Sequence, residues 1–248
     1  MLEQKHIEYF NSGIPENKKF WSRLGGKPNL NGKSILDFGC GHGSLCIDVA
    51  NSGAKKVTGV DLNNELIDFA NKNLERNYSQ NKENVNFKSF DLLKDNFSEK
   101  FDIILSKDTF EHTLNLDKVL NKMFNLLNPG GKAYLGFGPL YNSYNGDHYR
   151  TRTILPWFHL IIPEKIIIER LNKKDGIKIN RIEDLGLNKY SFKDYENCFK
   201  NSLFKINYFK KNCSNNPIAK IFNVISKIKI FEEYFTFNIY CILKKTKI

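Results

Sequence analysis

The sequence predicts an α/β protein: a three-layer sandwich with helices on both faces of a mostly parallel seven-stranded sheet. Three observations carry this. Short apolar runs alternate with helical stretches from residue 34 onward. The first run, Ile35-Leu36-Asp37-Phe38, passes directly into Gly39-Cys40-Gly41-His42-Gly43-Ser44, with glycine at every second position. Polar residues then fall at successive strand ends, at Asp37, Asp61, Asp91 and Ser106-Lys107-Asp108. In open α/β sheets that edge is where ligands bind.

Residues 1–30 read as a helical segment carrying Tyr9, Phe10, Phe20 and Trp21, broken by Pro15 and by the Gly25-Gly26-Lys27-Pro28 turn. No chemistry is visible there. Strand one, 34–38, has the length and residue types of a strand covered on both faces. The glycines after it let the backbone bend sharply and approach a ligand closely. A helix over 44–51 starts there, its free N–H groups facing the turn. Strand two, 56–61, ends on Asp61, about 20 residues past the first glycine, where an adenosine ribose would present its hydroxyls. The helix 64–77 puts Leu66, Ile67, Ala70 and Leu74 on one face. Strand three is 85–90 and strand four is 101–106. A helix over 116–127 turns Val119, Leu120, Met123 and Leu127 inward, and Asn128-Pro129-Gly130-Gly131 makes a turn into strand five, 132–136.

Residues 140–190 do not continue the pattern. A polar, aromatic stretch, 141–150, precedes the apolar Ile154-Leu155-Pro156-Trp157-Phe158-His159-Leu160-Ile161-Ile162-Pro163. This reads as a lid inserted after strand five, since so long a departure inside a compact domain is usually functional. Residues 191–248 complete the domain with a helix at 192–203, a strand at 205–209, an amphipathic helix at 217–230 and a last strand at 237–243. The expected organisation is an N-terminal helical segment (1–30), a ligand-binding core (31–139), a lid (140–190) and the C-terminal part of the same domain (191–248).

The net charge of +11 is uneven. Residues 1–163 carry 20 basic and 18 acidic side chains, and residues 164–248 carry 18 and 9. Such asymmetry can mark a nucleic-acid or membrane face. Here the cations are spread singly, which reads as a solvated basic face, with no nucleic-acid partner expected. The five cysteines form no C-x-x-C pair and are odd in number, against a disulfide framework or a zinc site and for a reducing compartment. With no apolar signal core in residues 1–11 and no uninterrupted spanning stretch, a cytoplasmic location is expected.

The loop is not a dinucleotide fingerprint, because the third glycine of G-x-G-x-x-G is replaced by Ser44, and no triphosphate loop is present. Its D-x-G-x-G-x-G pattern resembles motif I of class I S-adenosylmethionine (SAM) methyltransferases. From about Ser34 to Pro139 the resemblance extends through ILDFGCGHG, VTGVDLN, VNFKSFDLL, FDIILSKDTFEH and LLNPGGKAYL, in family order, and points to the UbiE/UbiG-like group. It implies a Rossmann-like fold, SAM as cofactor and a methyltransferase activity. By position, Asp37 and the loop Gly39, Cys40, Gly41 and Gly43 would line the methionine and ribose portion. Asp61 would accept from both ribose hydroxyls, and Leu62 would pack on the adenine. Asp91 would accept from the adenine amino group, with Leu92 beside it, and the backbone near Ser106 would hold the methionine ammonium. Carboxylates suit such donors.

A hydroxyl acceptor would benefit from a base, and two histidines are placed for it. His112 follows strand four in Asp108-Thr109-Phe110-Glu111-His112, where this group often has an E-H pair facing the acceptor. His148 lies in the lid beside Asp147 and Arg150. Asp108 and Glu111 join the acceptor side. Arg150 and Arg152 would pair an acidic or phosphorylated acceptor. Tyr141 and Tyr144 would stack on a sugar or ring, and Trp157 would add to that wall. The lid is loosely similar to segments of methyltransferases from surface-glycan and secondary-metabolite clusters. The leading expectation is therefore O-methylation of a small-molecule or saccharide acceptor, with no metal assigned. Stretch 154–168 suits peripheral membrane contact or homodimer packing. Two other functions stay open: an RNA or protein methyltransferase using the basic C-terminal third, and a non-catalytic nucleotide-binding module. Against the first, Ser-Lys-Asp-Thr stands after strand four in place of the N-P-P-Y type motif of adenine N-methylation.

Overall fold

The computed structural model describes residues 3–174, 176, 178–213 and 217–246. Among these, seven strands form one sheet in the order β3-β2-β1-β4-β5-β7-β6. The strands are β1 Ser34–Phe38, β2 Lys56–Asp61, β3 Val85–Ser89, β4 Phe101–Lys107, β5 Leu127–Phe137, β6 Lys205–Lys211 and β7 Ile239–Lys244. β1 to β5 pair in parallel, while β7 runs antiparallel to both β5 and β6. The result is a Rossmann-like, mixed and mostly parallel sheet, in line with the expectation.

The alternation of side chains across the pleat divides the core in two. Ile35, Val57, Phe87, Ile103, Leu105 and Tyr134 point to one face, under α1 (Gln4–Arg23), α2 (Ser44–Ala50) and α3 (Asn64–Asn77). Leu36, Val60, Ile104, Ala133 and Leu135 point to the other, under α4 (Leu116–Leu126) and α7 (Phe192–Asn201). Each helix is held by its apolar stripe. That of α4 is Leu116, Val119, Leu120 and Met123, all buried.

Two local expectations are corrected. Pro15 does not break the N-terminal helix, which runs unbroken from Gln4 to Arg23. A helix-interior proline costs about 3 kcal/mol, and burial of Phe10 on one side of it and Phe20 and Trp21 on the other offsets that. Residues 128–131 are the irregular start of β5 rather than a separate turn. Leu127 already pairs opposite Phe101, and the register then shifts before Ile103 meets Lys132.

The segment after β5 has its own small core. Ile167 and Leu171 of α6 (Glu164–Lys174) pack with Ile179, Ile182 and Leu187. The short α5 (Phe158–Ile161) precedes it. A buried polar knot fixes the entry: Thr151 and Thr153 both donate to Oδ2 of Asp147, and the His159 ring bonds the Tyr141 carbonyl through Nε2 at 2.7 Å. Stretch 154–168 is divided, with Ile154 91% exposed and Ile161 68% exposed but Ile167 buried. The expected helix 217–230 is shorter, α8 (Pro217–Ile225), and is followed by a turn and α9 (Glu232–Phe235). No helix of the described residues is long and apolar enough to cross a membrane.

Candidate active site

Parallel pairing brings the C-terminal ends of β1 to β5 to one rim. Three hydrogen bonds pin the glycine loop there. Gly39 and Cys40 donate to the Val60 carbonyl, both at 2.9 Å, and Gly41 N–H donates to Oδ2 of Asp61 at 2.9 Å. Oδ1 of Asp61 accepts from Asn63 N–H at 2.9 Å, and Asn63 in turn caps α3. Asp61 therefore ties the loop to the end of β2.

The glycines do different jobs. A Cβ on Gly39 would lie 2.2 Å from Oγ1 of Thr109, at a φ of +76°. One on Gly41, at φ +51°, would meet nothing within 4 Å. Gly39 is needed by the protein's own packing, whereas Gly41 fronts open space. Gly39→Ala should therefore destabilise the fold by about 2 kcal/mol or more, read as a lower urea midpoint. An unchanged midpoint would show that Thr109 can move aside.

Behind the loop, Asp37 is buried and accepts from the Cys46 thiol at 3.2 Å. Burial pushes its carboxyl up to about 6. Ser106 Oγ donates to the Phe38 carbonyl at 3.0 Å and locks β4 to β1. Leu62 stands 70% exposed beyond Asp61. Oδ1 of Asp91 accepts from Leu93 N–H at 2.9 Å, and its carboxylate pairs with Lys94 at 3.1 Å. Leu92 is turned into the core on the α4 side and does not present a surface at the rim.

Beyond β4 the chain turns at Asp108 (φ +53°) into a single 3-10 turn, Phe110–His112. Glu111 is buried, and its Oε1 accepts from Gly138 N–H at 3.2 Å. Burial, and after it the Asp108 charge, hold its carboxyl well above the usual range. The rings of His112 and His148 lie 4.8 Å apart. His112 Nδ1–H donates to the Gly186 carbonyl at 2.7 Å, and His148 Nε2–H to the Pro139 carbonyl at 3.2 Å. Burial first, then the Arg150 charge, push His112 down to about 4. Burial also lowers His148. Arg150 Nη1 donates to the carbonyls of Leu185 and Gly186 at 2.6 and 3.0 Å. Asp108, Glu111, His112, His148 and Arg150 are thus brought together.

The three aromatic residues expected at the acceptor are engaged elsewhere. Tyr141 packs against the lid's own core and His159. Tyr144 stacks on Phe237 at 5.3 Å, and Trp157 packs on Phe222 and Phe235. Among the described contacts, none joins these rings to His112 or His148.

The N-terminal helix supplies what its sequence did not show. His6 of α1 meets His42 of the glycine loop, Nδ1 to Nε2, at 2.8 Å, and its Nε2 lies 2.9 Å from Glu65. A carboxylate only accepts here, so His6 Nε2–H donates to it. The remaining ring contact joins His6 Nδ1 and His42 Nε2 through a single shared proton. Burial holds His42 down at about 4, so its ring is neutral here. Tyr9, one turn along from His6, packs against His42 with tilted rings, centroids 4.5 Å apart. These contacts join residues 36 and 59 apart in sequence, so no local spacing signals them.

Comparison with known proteins bears on this rim. Residues 29–136 match a family described as a methyltransferase domain. A ubiquinone biosynthesis O-methyltransferase of Coxiella burnetii is 38% identical over 108 residues, 42% of this chain and 43% of that protein. Residues 29–136 are a class I SAM-dependent methyltransferase domain. Phosphoethanolamine N-methyltransferase 2 of Caenorhabditis elegans is 31% identical to the chain over 125 residues, 50% of this chain and 27% of that protein. The chain spans less than half the length of these curated relatives. In solved structures the methyltransferase fold extends further. A SAM-dependent methyltransferase from Mesorhizobium loti aligns over 93% of this chain and 96% of its own, with TM-score 0.57 and 14% identity. Geranyl diphosphate C-methyltransferase from Streptomyces coelicolor, solved with Mg2+, geranyl diphosphate and S-adenosylhomocysteine, aligns over 94% and 78%, with TM-score 0.61 and 12% identity. The methyltransferase domain so defined contains the loop, Asp61, Asp91, Glu111 and His112. His148 and Arg150 lie outside it.

Proposed function

We propose that the chain transfers a methyl group from SAM to a hydroxyl of a small-molecule or saccharide acceptor. The observation that carries the acceptor half is the facing pair His112 and His148, one on the domain and one on the lid, each with its N–H committed to a carbonyl. Each neutral ring then keeps one bare lone pair, Nε2 on His112 and Nδ1 on His148. Such a nitrogen can take the proton of a bound hydroxyl. The relatives named above methylate at O, N and C by their names, so likeness to them does not select the acceptor atom.

The residues at the rim fit the cofactor. Gly41 leaves open space in front of the loop backbone, and Asp61 presents a carboxylate beside it. In this reading Asp61 accepts from the ribose hydroxyls, Leu62 covers the adenine, Asp91 accepts from its amino group, and the backbone near Ser106 takes the methionine ammonium. Asp37, Gly39, Cys40 and Gly43 shape the loop from behind. SAM supplies an activated methyl on a sulfonium, so the chain's task is alignment and a dry site. Tyr9 and the lid close over the rim, and Arg150 braces the lid carbonyls that orient His112.

The test has two arms. Titration with S-adenosylhomocysteine should give saturable binding, with NADH inert. On a hydroxyl acceptor, His112→Ala and His148→Ala should each lower turnover by roughly 100-fold or more, with S-adenosylhomocysteine affinity within about twofold of the parent. Full turnover in both variants would remove the histidines from the reaction.

A further inference from the structure

We propose that His6 is a positioning residue for the cofactor: through the proton it shares with His42, it fastens α1 to the glycine loop and holds that loop ready for SAM. The proposal rests on the cofactor half of the reading above and is independent of the acceptor.

The loop needs a second anchor. Its root is tied to the end of β2 through Gly39, Cys40 and Gly41. His42 lies past those bonds, between Gly41 at φ +51° and Gly43 at φ +83°. Glycines there give the backbone freedom as well as the required bend. The His42 ring is buried, and its Nδ1 has no hydrogen-bond partner among the described residues. The 2.8 Å contact between its Nε2 and His6 Nδ1 is therefore the ring's one hydrogen bond among those residues. A buried ring with one nitrogen left bare is costly. An apolar side chain would fill the same space without that cost, so packing does not account for a histidine.

His6 is itself held. Its Nε2–H donates to Glu65 at 2.9 Å, and Glu65 also pairs with Lys5 at 3.1 Å. Glu65 stands in the first turn of α3, just past the Asn63 cap and Asp61. One imidazole thus links α1, the glycine loop and the helix that follows Asp61. The helix lies close enough for this link. A Cβ on Gly13 would lie 2.3 Å from Oγ of Ser44, the first residue of α2. Phe69 packs on both rings, with centroids 5.4 Å from His6 and 5.1 Å from His42. The ligand-free chain then presents a loop already ordered, and a preorganised loop binds more tightly than one the ligand must order.

Conservative variants separate the hydrogen bond from the packing. The Asn amide lies as many bonds from Cα as Nδ1 does, and the Gln amide as many as Nε2. An amide can donate or accept. His6→Asn therefore keeps the link to His42, whichever way its proton runs, and gives up Glu65. His6→Gln keeps Glu65 and gives up His42. Both lose the ring against Phe69, so a purely structural role would weaken them alike.

The experiment is calorimetric titration of the full chain and its variants with S-adenosylhomocysteine at neutral pH, with urea unfolding to show that each ligand-free variant is folded. Affinity should fall by roughly five- to tenfold in His6→Ala, His6→Gln and His42→Ala. His6→Asn should stay within about twofold of the parent, and the double variant His6→Ala, His42→Ala should bind no more weakly than either single one. Should His6→Ala fail to fold, the Asn and Gln variants decide the matter. Parental affinity in His6→Gln, or an equal loss in His6→Asn and His6→Gln, would overturn the proposal and leave the cofactor reading intact. A parent that bound no S-adenosylhomocysteine would overturn both.

Discussion

Asp61→Ala should weaken S-adenosylhomocysteine binding by about 2–4 kcal/mol, roughly 30- to 1000-fold. Two effects add. On the proposed reading the variant loses a charged acceptor for the ribose hydroxyls, and hydrogen bonds to charged groups are worth about 1.5–3 kcal/mol each. It also releases Gly41 N–H, which Asp61 holds at 2.9 Å, so the loop loses its tie to β2. Asp61→Asn separates the two, because its amide oxygen still accepts one hydrogen bond. It should fall between the parent and the alanine variant. Calorimetric titration of all three proteins decides the matter, and equal affinities would place the ribose elsewhere.

The second large effect concerns stability. Asp37→Asn should stabilise the ligand-free protein at pH 7 by about 1–3 kcal/mol. Burial raises the Asp37 carboxyl from 3.8 to about 6 in the folded chain. Between those two values the unfolded chain has released its proton and the folded chain has not. Stability therefore falls as pH rises through that window, and the full cost is present above it. Asparagine carries no such cost and can still accept the Cys46 thiol proton. Urea unfolding from pH 4 to pH 7 should show a falling parent curve and a flatter variant curve. Parallel curves would mean that Asp37 titrates alike in both states. The carboxylate is expected to be retained for the ligand's sake. The variant should lose affinity for cationic SAM more than for its neutral product, and an equal loss for both would deny the charge that role.

Much of this was legible in the sequence, and what was not has a common cause. Strands buried on both faces, the glycine loop and the acids at strand ends are local patterns, and β1 to β4 and their helices follow from them. Glu111 and His112 were visible for the same reason, as a short motif just past a strand. Residues that act through packing between distant segments were not. His6 on His42, Tyr9 over the loop, and the Gly186 and Pro139 carbonyls that set two tautomers depend on how α1 and the lid settle on the core. Tyr141, Tyr144 and Trp157 mislead in the opposite direction. A polar, aromatic stretch reads as a binding surface, yet here Tyr141 packs on its own segment's small core and Tyr144 and Trp157 pack on the C-terminal Phe222, Phe235 and Phe237.

The pairing of β5 with β7 bears on how the parts of the chain join. Phe137, the last residue of β5, is the direct antiparallel partner of Ile239, the first of β7, and Leu140 N–H bonds the Phe237 carbonyl at 2.9 Å. Everything from 138 to 238 is therefore an excursion whose two ends are adjacent rungs of one ladder. It is not all peripheral, since α7 and β6 within it complete the core and the sheet edge. The chain's family match runs from 29 to 136 and stops one residue before that exit. The glycine loop therefore sits in a contiguous block of sequence, and the excursion leaves and rejoins the sheet beside a single pair of residues.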